Sequence, residues 1–384
     1  MKTAQIDVHD HDLLAALRNL ARLVLAQEGI EAILVPRRLP LKSMVMPALV
    51  SDPEGLAEMD PLAPAFALNA ARMVSRLTRK PSGGRLAVML RPCEIRAFIE
   101  LVKLNQGRLD DLLIIGTDCL GAYPNKDYIR FAETTGADST RAFYQAVLGP
   151  GGAAKEGLSL APACRACEAP VPDGADLAVM LFGVPTDYQI VIQAQSEKGA
   201  EMLDRIALKA AQVPEQRADA VARLIEQKVL YRDGMFLKTR AAVESPAKLN
   251  AYLAACVNCY NCRVACPVCY CRECVFVTDV FDHEPAQYLA WARRKGTLKM
   301  PTDTLFYHLT RLAHMSTACV GCGQCSNACP NDIPVMELFR TIAHRTQAAF
   351  DYRAGANVGQ KPPLTEFREK EFEEVVGIGC RAAG

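Results

Sequence analysis

Two segments of the chain carry four cysteines each at the same spacing, and each segment ends in Cys-Pro. They read CVNCYNCRVACP from position 256 and CVGCGQCSNACP from position 319. Both match C-x₂-C-x₂-C-x₃-C-P, in which the first three thiolates bind one 4Fe–4S cluster and the fourth binds the other. The spacing therefore predicts two clusters with crossed ligands. The predicted ligands are Cys256, Cys259, Cys262 and Cys329 for the first cluster, and Cys319, Cys322, Cys325 and Cys266 for the second.

Structural zinc is the alternative, because zinc also binds paired C-x₂-C thiolates. Zinc does not explain why the Cys-Pro ending occurs twice, so clusters are the preferred interpretation. The 16 cysteines are expected to be metal ligands in a reducing cytoplasm rather than disulfides. A formal net charge of +1 does not favour a nucleic-acid partner, and no apolar stretch is long enough to predict a membrane span.

Residues 267–318 separate the two motifs, a connector far longer than a compact ferredoxin needs, and its pattern is helical. Helices are predicted at 285–294, at 303–315 with Leu305, Leu309 and Leu312 on one face, and at 334–350. The prediction is a mainly α-helical two-cluster ferredoxin domain over 246–350, followed by an extended tail over 351–384. This region resembles the α-helical ferredoxin domain of heterodisulfide reductase and succinate dehydrogenase iron–sulfur subunits.

The region before the motifs alternates apolar runs of strand length with amphipathic helices. Strands are predicted at 86–90, 112–115, 176–182 and 188–194, and helices at 12–28, 65–79, 94–104 and from Lys198 onward. A strand, a helix and a strand within about 30 residues predict parallel neighbours joined by a right-handed crossover. The expected fold over 1–245 is an α/β domain with a parallel or mixed sheet, in which 1–79 forms a helical N-terminal part.

Four further cysteines fall where that α/β domain would build a site. Cys93 and Cys119 follow the ends of two successive predicted strands, and the carboxyl ends of parallel neighbours meet at one sheet edge. Cys164 and Cys167 form a C-x₂-C pair in a loop that could fold over that edge. We therefore predict a third 4Fe–4S cluster on these four thiolates. The alternative is two buried free cysteines and an unrelated local pair.

The cysteines left over are Cys269, Cys271, Cys274 and Cys380. The first three lie just after the first motif and could bind a further cluster or act as alternates to Cys266. Their spacing does not decide between these roles. The six histidines show no ligand spacing and are expected at the surface or at an interface, and no catalytic triad or carboxylate pair stands out.

Three segments carry a resemblance to a known family: residues 91–97 (RPCEIRA), 115–119 (IGTDC) and 164–167 (CRAC). In these the chain resembles the beta subunits of coenzyme F-420-dependent hydrogenases and formate dehydrogenases, most closely the latter. The resemblance implies FAD bound beside a cluster, with Arg91, Glu94, Arg96 and Gly183 near the flavin. It also implies an oxidoreductase subunit that moves electrons between a hydride carrier and the metal centres of a partner, and it favours the third cluster.

The expected partners are a catalytic formate dehydrogenase or hydrogenase subunit, a heterodisulfide-reductase-like or other electron acceptor, and coenzyme F-420 or NAD(P)H as the hydride carrier. An alternative function is a flavin-free iron–sulfur adaptor that links a dehydrogenase to a heterodisulfide-reductase-like complex. In that case the region 80–245 would be a docking scaffold. Flavin content distinguishes the two functions.

Overall fold

The computed structural model describes residues 2–40, 42–81, 83–149 and 157–365. Its first half is built on one eight-stranded mixed sheet with the strand order β3-β2-β4-β5-β6-β7-β1-β8. The strands are β1 (Thr3–Asp7), β2 (Ile30–Leu39), β3 (Lys42–Val50), β4 (Arg85–Leu90), β5 (Leu112–Thr117), β6 (Leu177–Met180), β7 (Gln189–Ala194) and β8 (Lys209–Ala210). The predicted α/β class with a mixed sheet is confirmed.

Helices cover the sheet and make up most of the second half of the described chain. They are α1 (Leu13–Leu25), α2 (Ala71–Thr78), α3 (Pro92–Lys103), α4 (Asn125–Thr135), α5 (Ser139–Leu148), α6 (Pro162–Arg165), α7 (Glu197–Ile206), α8 (Arg217–Ala242), α9 (Pro246–Tyr252), α10 (Asn261–Ala265), α11 (Pro285–Lys295), α12 (Thr304–Met315), α13 (Gln324–Asn327) and α14 (Val335–Ala349). None of the described helices combines the length and the apolar character that crossing a bilayer requires.

The centre of the sheet is parallel, and this arrangement positions the site. Strands β2, β4, β5 and β6 run in the same direction, with Leu86 opposite Leu112 and Leu90 opposite Gly116. All six residues of β5 are buried, because helices pack on both faces of a parallel sheet. The predicted parallel neighbours β4 and β5 are therefore confirmed, and their carboxyl ends lie side by side.

The prediction that 1–79 is a helical part is wrong, since three strands lie within it. In the β2–β3 hairpin Pro36 pairs with Pro47, and proline normally argues against a strand. The hairpin tolerates both prolines because β3 is an edge strand and the pairing of β2 with β4 ends at Leu34, before Pro36. Tertiary position thus overrides the local signal.

The helix predicted at 65–79 begins only at Ala71. The residues before it form a buried loop whose carbonyl groups bind distant donors: Tyr123 N donates to the carbonyl of Pro64, and Gln324 Nε2 donates to that of Phe66. A helix would use these carbonyls internally. The helical pattern in the sequence therefore starts at residue 65, before the amino-terminal end of the helix itself at Ala71.

The sequence analysis also missed α8, a helix of 26 residues of which only four are buried. Because so few of its side chains pack, its apolar residues show no clear helical period. The helix nevertheless matters for the site, since it packs beside α6 and α14.

The two halves of the chain are joined across α3. The Arg96 guanidinium donates to the carbonyls of Ala354 and Val320, and the Glu100 carboxylate accepts from Gly355 N at 2.7 Å. One apolar cluster includes residues of both halves. Residues 352–355 are therefore packed rather than extended, contrary to the predicted tail over 351–384, and residues 366–384 lie outside the described residues. The apolar cluster that joins the two halves spans the predicted boundary between 1–245 and 246–350. These domain boundaries therefore stay a prediction.

Candidate metal centres

Cysteines of the two repeated motifs lie close to one another in the protein. Burial raises the pKa of Cys266 to about 12, Arg311 opposes that rise, and the neighbouring Cys319 thiol adds to it. Burial also raises the pKa of Cys256, with the thiols of Cys262 and Cys329 contributing. Cys266 of the first motif thus lies near Cys319 of the second, and Cys329 of the second motif lies near Cys256 of the first, as crossed ligand sets would require.

Helix α12 lines the first of these sets with polar groups. Arg311 Nη1 donates to Cys262 Sγ at 3.1 Å, the Tyr307 hydroxyl lies 3.3 Å from the same sulfur, and His308 Nε2 lies 3.4 Å from Cys256 Sγ. Burial, followed by Arg311 and Lys299, lowers the pKa of His308 to about 4, so this imidazole is neutral near pH 7. The prediction of a surface position is wrong for His308, which is 1% exposed.

The buried face of α12 differs from the face that the sequence pattern predicts. Leu305, Leu309 and Leu312 were expected to pack together, yet Leu309 is exposed. The buried residues of α12 are Thr304, Tyr307, His308, Arg311, Leu312 and Met315, and the first four of them carry polar groups. On this face of α12, polar groups that can hydrogen-bond to cysteine sulfur take the place of apolar side chains.

The other predicted set, Cys93, Cys119, Cys164 and Cys167, lines one cavity at the carboxyl edge of β4 and β5. Cys93 is the second residue of α3, directly after β4, and Cys119 follows β5. The segment with the C-x₂-C pair folds over this edge, because Ala161 N donates to the carbonyl of Ala122 and Cys119 N donates to that of Pro170, each at 2.8 Å. The sheet topology and one folded loop therefore bring the four thiols together.

This cavity also has the charge that a cluster would need. Burial raises the pKa of Cys164 to about 11, and the Cys119 thiol adds to the rise. Arg91 and Lys228 are both buried and line the same cavity, and neither forms an ion pair with a carboxylate of the described residues. Lys228 Nζ donates to the carbonyl of Cys164 at 2.6 Å. Two buried cations facing four thiols fit a group that carries negative charge.

The described residues contain no three His, Cys, Asp or Glu side chains arranged to hold a single metal ion. A 4Fe–4S cluster, by contrast, uses four cysteine thiolates on its iron atoms. The fit of the thiol cavity therefore rests on its donor set and charge. Cys322 of the second motif lines the cavity as well, so this wall is shared with the second predicted cluster.

The four residues expected near FAD have different surroundings. Arg91 lies over the Phe66 ring and lines the thiol cavity. The Glu94 carboxylate accepts hydrogen bonds from Ala70 N and Arg91 N. Glu94 therefore takes part in capping the amino-terminal end of α3. Arg96, as described, donates to carbonyls of the second half. Their contact with a flavin stays a prediction.

Gly183, the fourth of them, lies against the start of α8. Its φ is +67°, and a Cβ at this position would be 2.6 Å from the Cα of Arg217. We expect Gly183→Ala to lower the apparent melting temperature through backbone strain of about 1–3 kcal/mol and this close contact. Gly29→Ala is the matched control, since Gly29 has φ +87° but no atom within 4 Å of the added Cβ. Equal, small decreases in both variants, measured by thermal unfolding, would contradict the packing role.

Three features of the site were not predicted from the sequence. They are the polar groups of α12 that contact cysteine sulfur, Lys228, and an ion pair formed by Asp118, which precedes Cys119 in the chain. In that pair both oxygens of the buried Asp118 accept from the Arg217 guanidinium, at 2.6 and 3.0 Å, and Asp118 also accepts from Leu181 N. The pair ties the loop after β5 to α8. A signal existed only for α12, where Tyr307 and Arg311 are four residues apart and so share a helix face.

A second cavity, of about 770 Å³, opens at the amino-terminal ends of β2, β4 and β5, opposite the cysteines. Ligands of such sheets bind beyond the carboxyl ends of the strands. We therefore place the functional site at the smaller thiol cavity.

Comparison with known proteins supports an iron–sulfur dicluster domain in this chain. The family described as "4Fe-4S dicluster domain" matches residues 252–333. The chain is 29% identical to the beta subunit of the F-420-dependent formate dehydrogenase of Methanocaldococcus jannaschii, over 73% of this chain and 76% of that protein. It is 26% identical to the beta subunit of F-420-dependent formate dehydrogenase 1 of Methanococcus maripaludis, over 73% and 75%.

Among solved structures, a chain of the F-420-reducing nickel–iron hydrogenase complex from Methanosarcina barkeri is similar with a TM-score of 0.47 and 13% identity. The match covers 63% of this chain and 92% of that one. The family match shows that the chain carries a 4Fe–4S dicluster domain at residues 252–333, behind the mixed α/β sheet.

Proposed function

We propose a specific electron-transfer role for this chain, which is related to the F-420-dependent formate dehydrogenase beta subunits and carries two 4Fe–4S clusters in its dicluster domain. The chain acts as the beta subunit of a formate dehydrogenase or hydrogenase type complex. It passes electrons between a hydride carrier and the metal centres of a catalytic partner subunit.

The observation that carries this proposal is the shared wall of the thiol cavity. Cys93, Cys119, Cys164 and Cys167 surround it, and Cys322 of the second motif reaches it too. We assign a third 4Fe–4S cluster to the first four cysteines. Arg91 and Lys228 hold positive charge at the same cavity and so offset the charge of a thiolate-bound cluster. The α/β half is thereby connected to the dicluster half within one protein.

We assign FAD to the entrance of this route. A hydride carrier delivers two electrons together whereas iron–sulfur clusters accept one at a time, and a flavin converts between these modes. Arg91 supports a position near the thiol cavity, since it lies at the carboxyl edge of β4 and lines that cavity. Coenzyme F-420 is the proposed hydride carrier, as in the names of the relatives.

The first motif is the proposed exit toward the partner. Cys259 is exposed, and the apolar side chains of Val257 and Val264 in the same motif are exposed as well. Exposed apolar groups around a redox site are typical of a protein–protein contact. A partner that docks here would approach the first cluster through few intervening atoms.

Stopped-flow mixing of the anaerobically reconstituted chain with reduced carriers tests the proposal. We expect reduced coenzyme F-420 to bleach the flavin and cluster absorbance at least tenfold faster than NADH, because the carrier must fit its binding site to transfer a hydride. A faster reaction with NADH would reject coenzyme F-420 as the carrier.

The flavin-free adaptor is the second candidate, and one observation favours it. Glu94, Arg96 and Gly183, which were expected near the flavin, all have structural partners within the chain. Purified and reconstituted protein without releasable FAD, and with no bleaching by either carrier, would establish the adaptor instead. Releasable FAD near one per chain would reject it.

A further inference from the structure

A buried arginine of α12 lies between the two halves of the dicluster site. Arg311 is 5% exposed, and its guanidinium donates from Nη1 to Cys262 Sγ at 3.1 Å and from Nη2 to the Cys262 carbonyl at 3.2 Å. It also interacts electrostatically with Cys266 and Cys325, which belong to the other predicted ligand set. One fixed positive charge therefore faces ligands of both clusters.

The charge of Arg311 has no carboxylate partner among the residues that the structure describes, and its Nε is buried without an acceptor. The rings of Phe339 and Tyr307 hold the guanidinium, with centroids at 4.7 and 5.4 Å. Arg340, another buried arginine of this half, differs because it pairs with the Glu168 carboxylate. Burying an unpaired cation is costly, so negative charge on the surrounding sulfurs is what compensates Arg311.

We propose that Arg311 is a positioning residue for electron transfer, whose buried charge lies between the two cluster sites and raises the reduction potential of both. Its effect is strongest on the site that contains Cys262, where it also donates a hydrogen bond to sulfur. The inference rests on the proposed cluster assignment and adds to it the residue that sets the potentials.

The physical reason is the charge of the added electron. One-electron reduction makes a cluster site more negative by one charge, so a nearby fixed cation stabilises the reduced form more than the oxidised form. Because Arg311 is buried, water and salt screen it little. Hydrogen bonds to cluster sulfur act in the same direction. Arginine keeps its proton throughout, so the electron arrives without a coupled proton at this residue.

The test is a potentiometric titration of the whole chain, followed by electron paramagnetic resonance. In Arg311→Met we expect the equilibrium constant for reduction of the Cys262-containing cluster to fall at least tenfold, a shift of about 59 mV to lower potential. The second cluster should shift in the same direction by less. Arg311→Lys keeps the charge and should retain most of the wild-type potential. Comparing it with Arg311→Met distinguishes the effect of the charge from the effect of the side-chain shape.

Two further variants sharpen the test. Tyr307→Phe removes only the hydroxyl beside Cys262 Sγ and should lower the potential of the first cluster alone. Arg293→Met is the control, because Arg293 is an exposed arginine of the same connector, in α11. We expect no shift in the control.

Unchanged potentials in Arg311→Met with wild-type iron content would overturn the inference and leave the proposed function intact. Wild-type protein that binds no iron would instead overturn the proposed function. If Arg311→Met does not retain its iron, Arg311→Gln decides, because glutamine removes the charge of Arg311 but can still donate a hydrogen bond to Cys262 Sγ. A decrease in potential, largest for the Cys262-containing cluster, supports the tuning role, and no decrease leaves Arg311 with a structural role only.

Discussion

Replacing Cys119 by serine is expected to remove about four iron atoms per chain, lowering the total from about twelve to about eight, and to leave the dicluster domain loaded. A thiolate bound to iron is replaced by a weakly coordinating hydroxyl. The one further thiol among the described residues that line this cavity, Cys322, is assigned to the second cluster and so is not free to replace Cys119. Iron and acid-labile sulfide analysis of anaerobically reconstituted protein measures the loss.

Cys271→Ser is the matched control for that variant. Cys271 is exposed and does not line the thiol cavity, so we expect this variant to keep all of its iron. About eight irons in the wild-type chain, with no change in Cys119→Ser, would remove the third cluster from the proposal. Loss of iron in Cys271→Ser would instead indicate that the cysteines after the first motif bind a cluster.

Replacing Asp118 by asparagine should destabilise the chain by about 3–5 kcal/mol, the usual effect of removing one partner of a buried ion pair. The Asp118 carboxylate is fully buried and accepts two hydrogen bonds from Arg217, so the substitution leaves a nearly buried guanidinium without its counter-charge. Because the pair ties the loop of Cys119 to α8, we also expect faster loss of iron from the thiol cavity. Thermal unfolding and the rate of iron release to a chelator measure the two effects.

Asp110→Asn is the control for this prediction. Asp110 pairs with Arg108 at 2.9 Å, but both side chains are more than half exposed, and such surface pairs contribute about 0–1 kcal/mol. Similar melting temperatures for Asp118→Asn and Asp110→Asn would show that the buried pair does not stabilise the site loop.

Sequence reasoning worked where the signal was local. The parallel β4–α3–β5 unit could be predicted because an apolar run, an amphipathic helix and a second apolar run follow each other closely. This local pattern is sufficient to place Cys93 and Cys119 at one edge of the sheet. Strands β2 and β3 were missed for the opposite reason, since their prolines are tolerated only in a hairpin at the edge of the sheet.

Helix α12 shows a second limit of local patterns. The rule that apolar residues face inward selected Leu305, Leu309 and Leu312, whereas the protein buries His308 and Arg311 and leaves Leu309 exposed. A hydrophobicity pattern does not register that cysteine sulfur can accept hydrogen bonds from these groups. Functional sites are where such rules are expected to fail.

The sequence by itself determined the chemistry of this protein, because cluster ligands in a C-x₂-C-x₂-C-x₃-C-P segment are set by a few neighbouring residues. It also determined that Cys93 and Cys119 share a sheet edge. Only the tertiary structure decided that Cys164 and Cys167 close over that edge, that Cys322 reaches the same cavity, and that Arg311 lies between the two motifs. Cys119 and Cys164 are 45 positions apart, Arg311 and Cys262 are 49, and Cys93 and Cys322 are 229. The formation of these contacts depends on how the chain packs, including the two halves across α3, rather than on any local pattern.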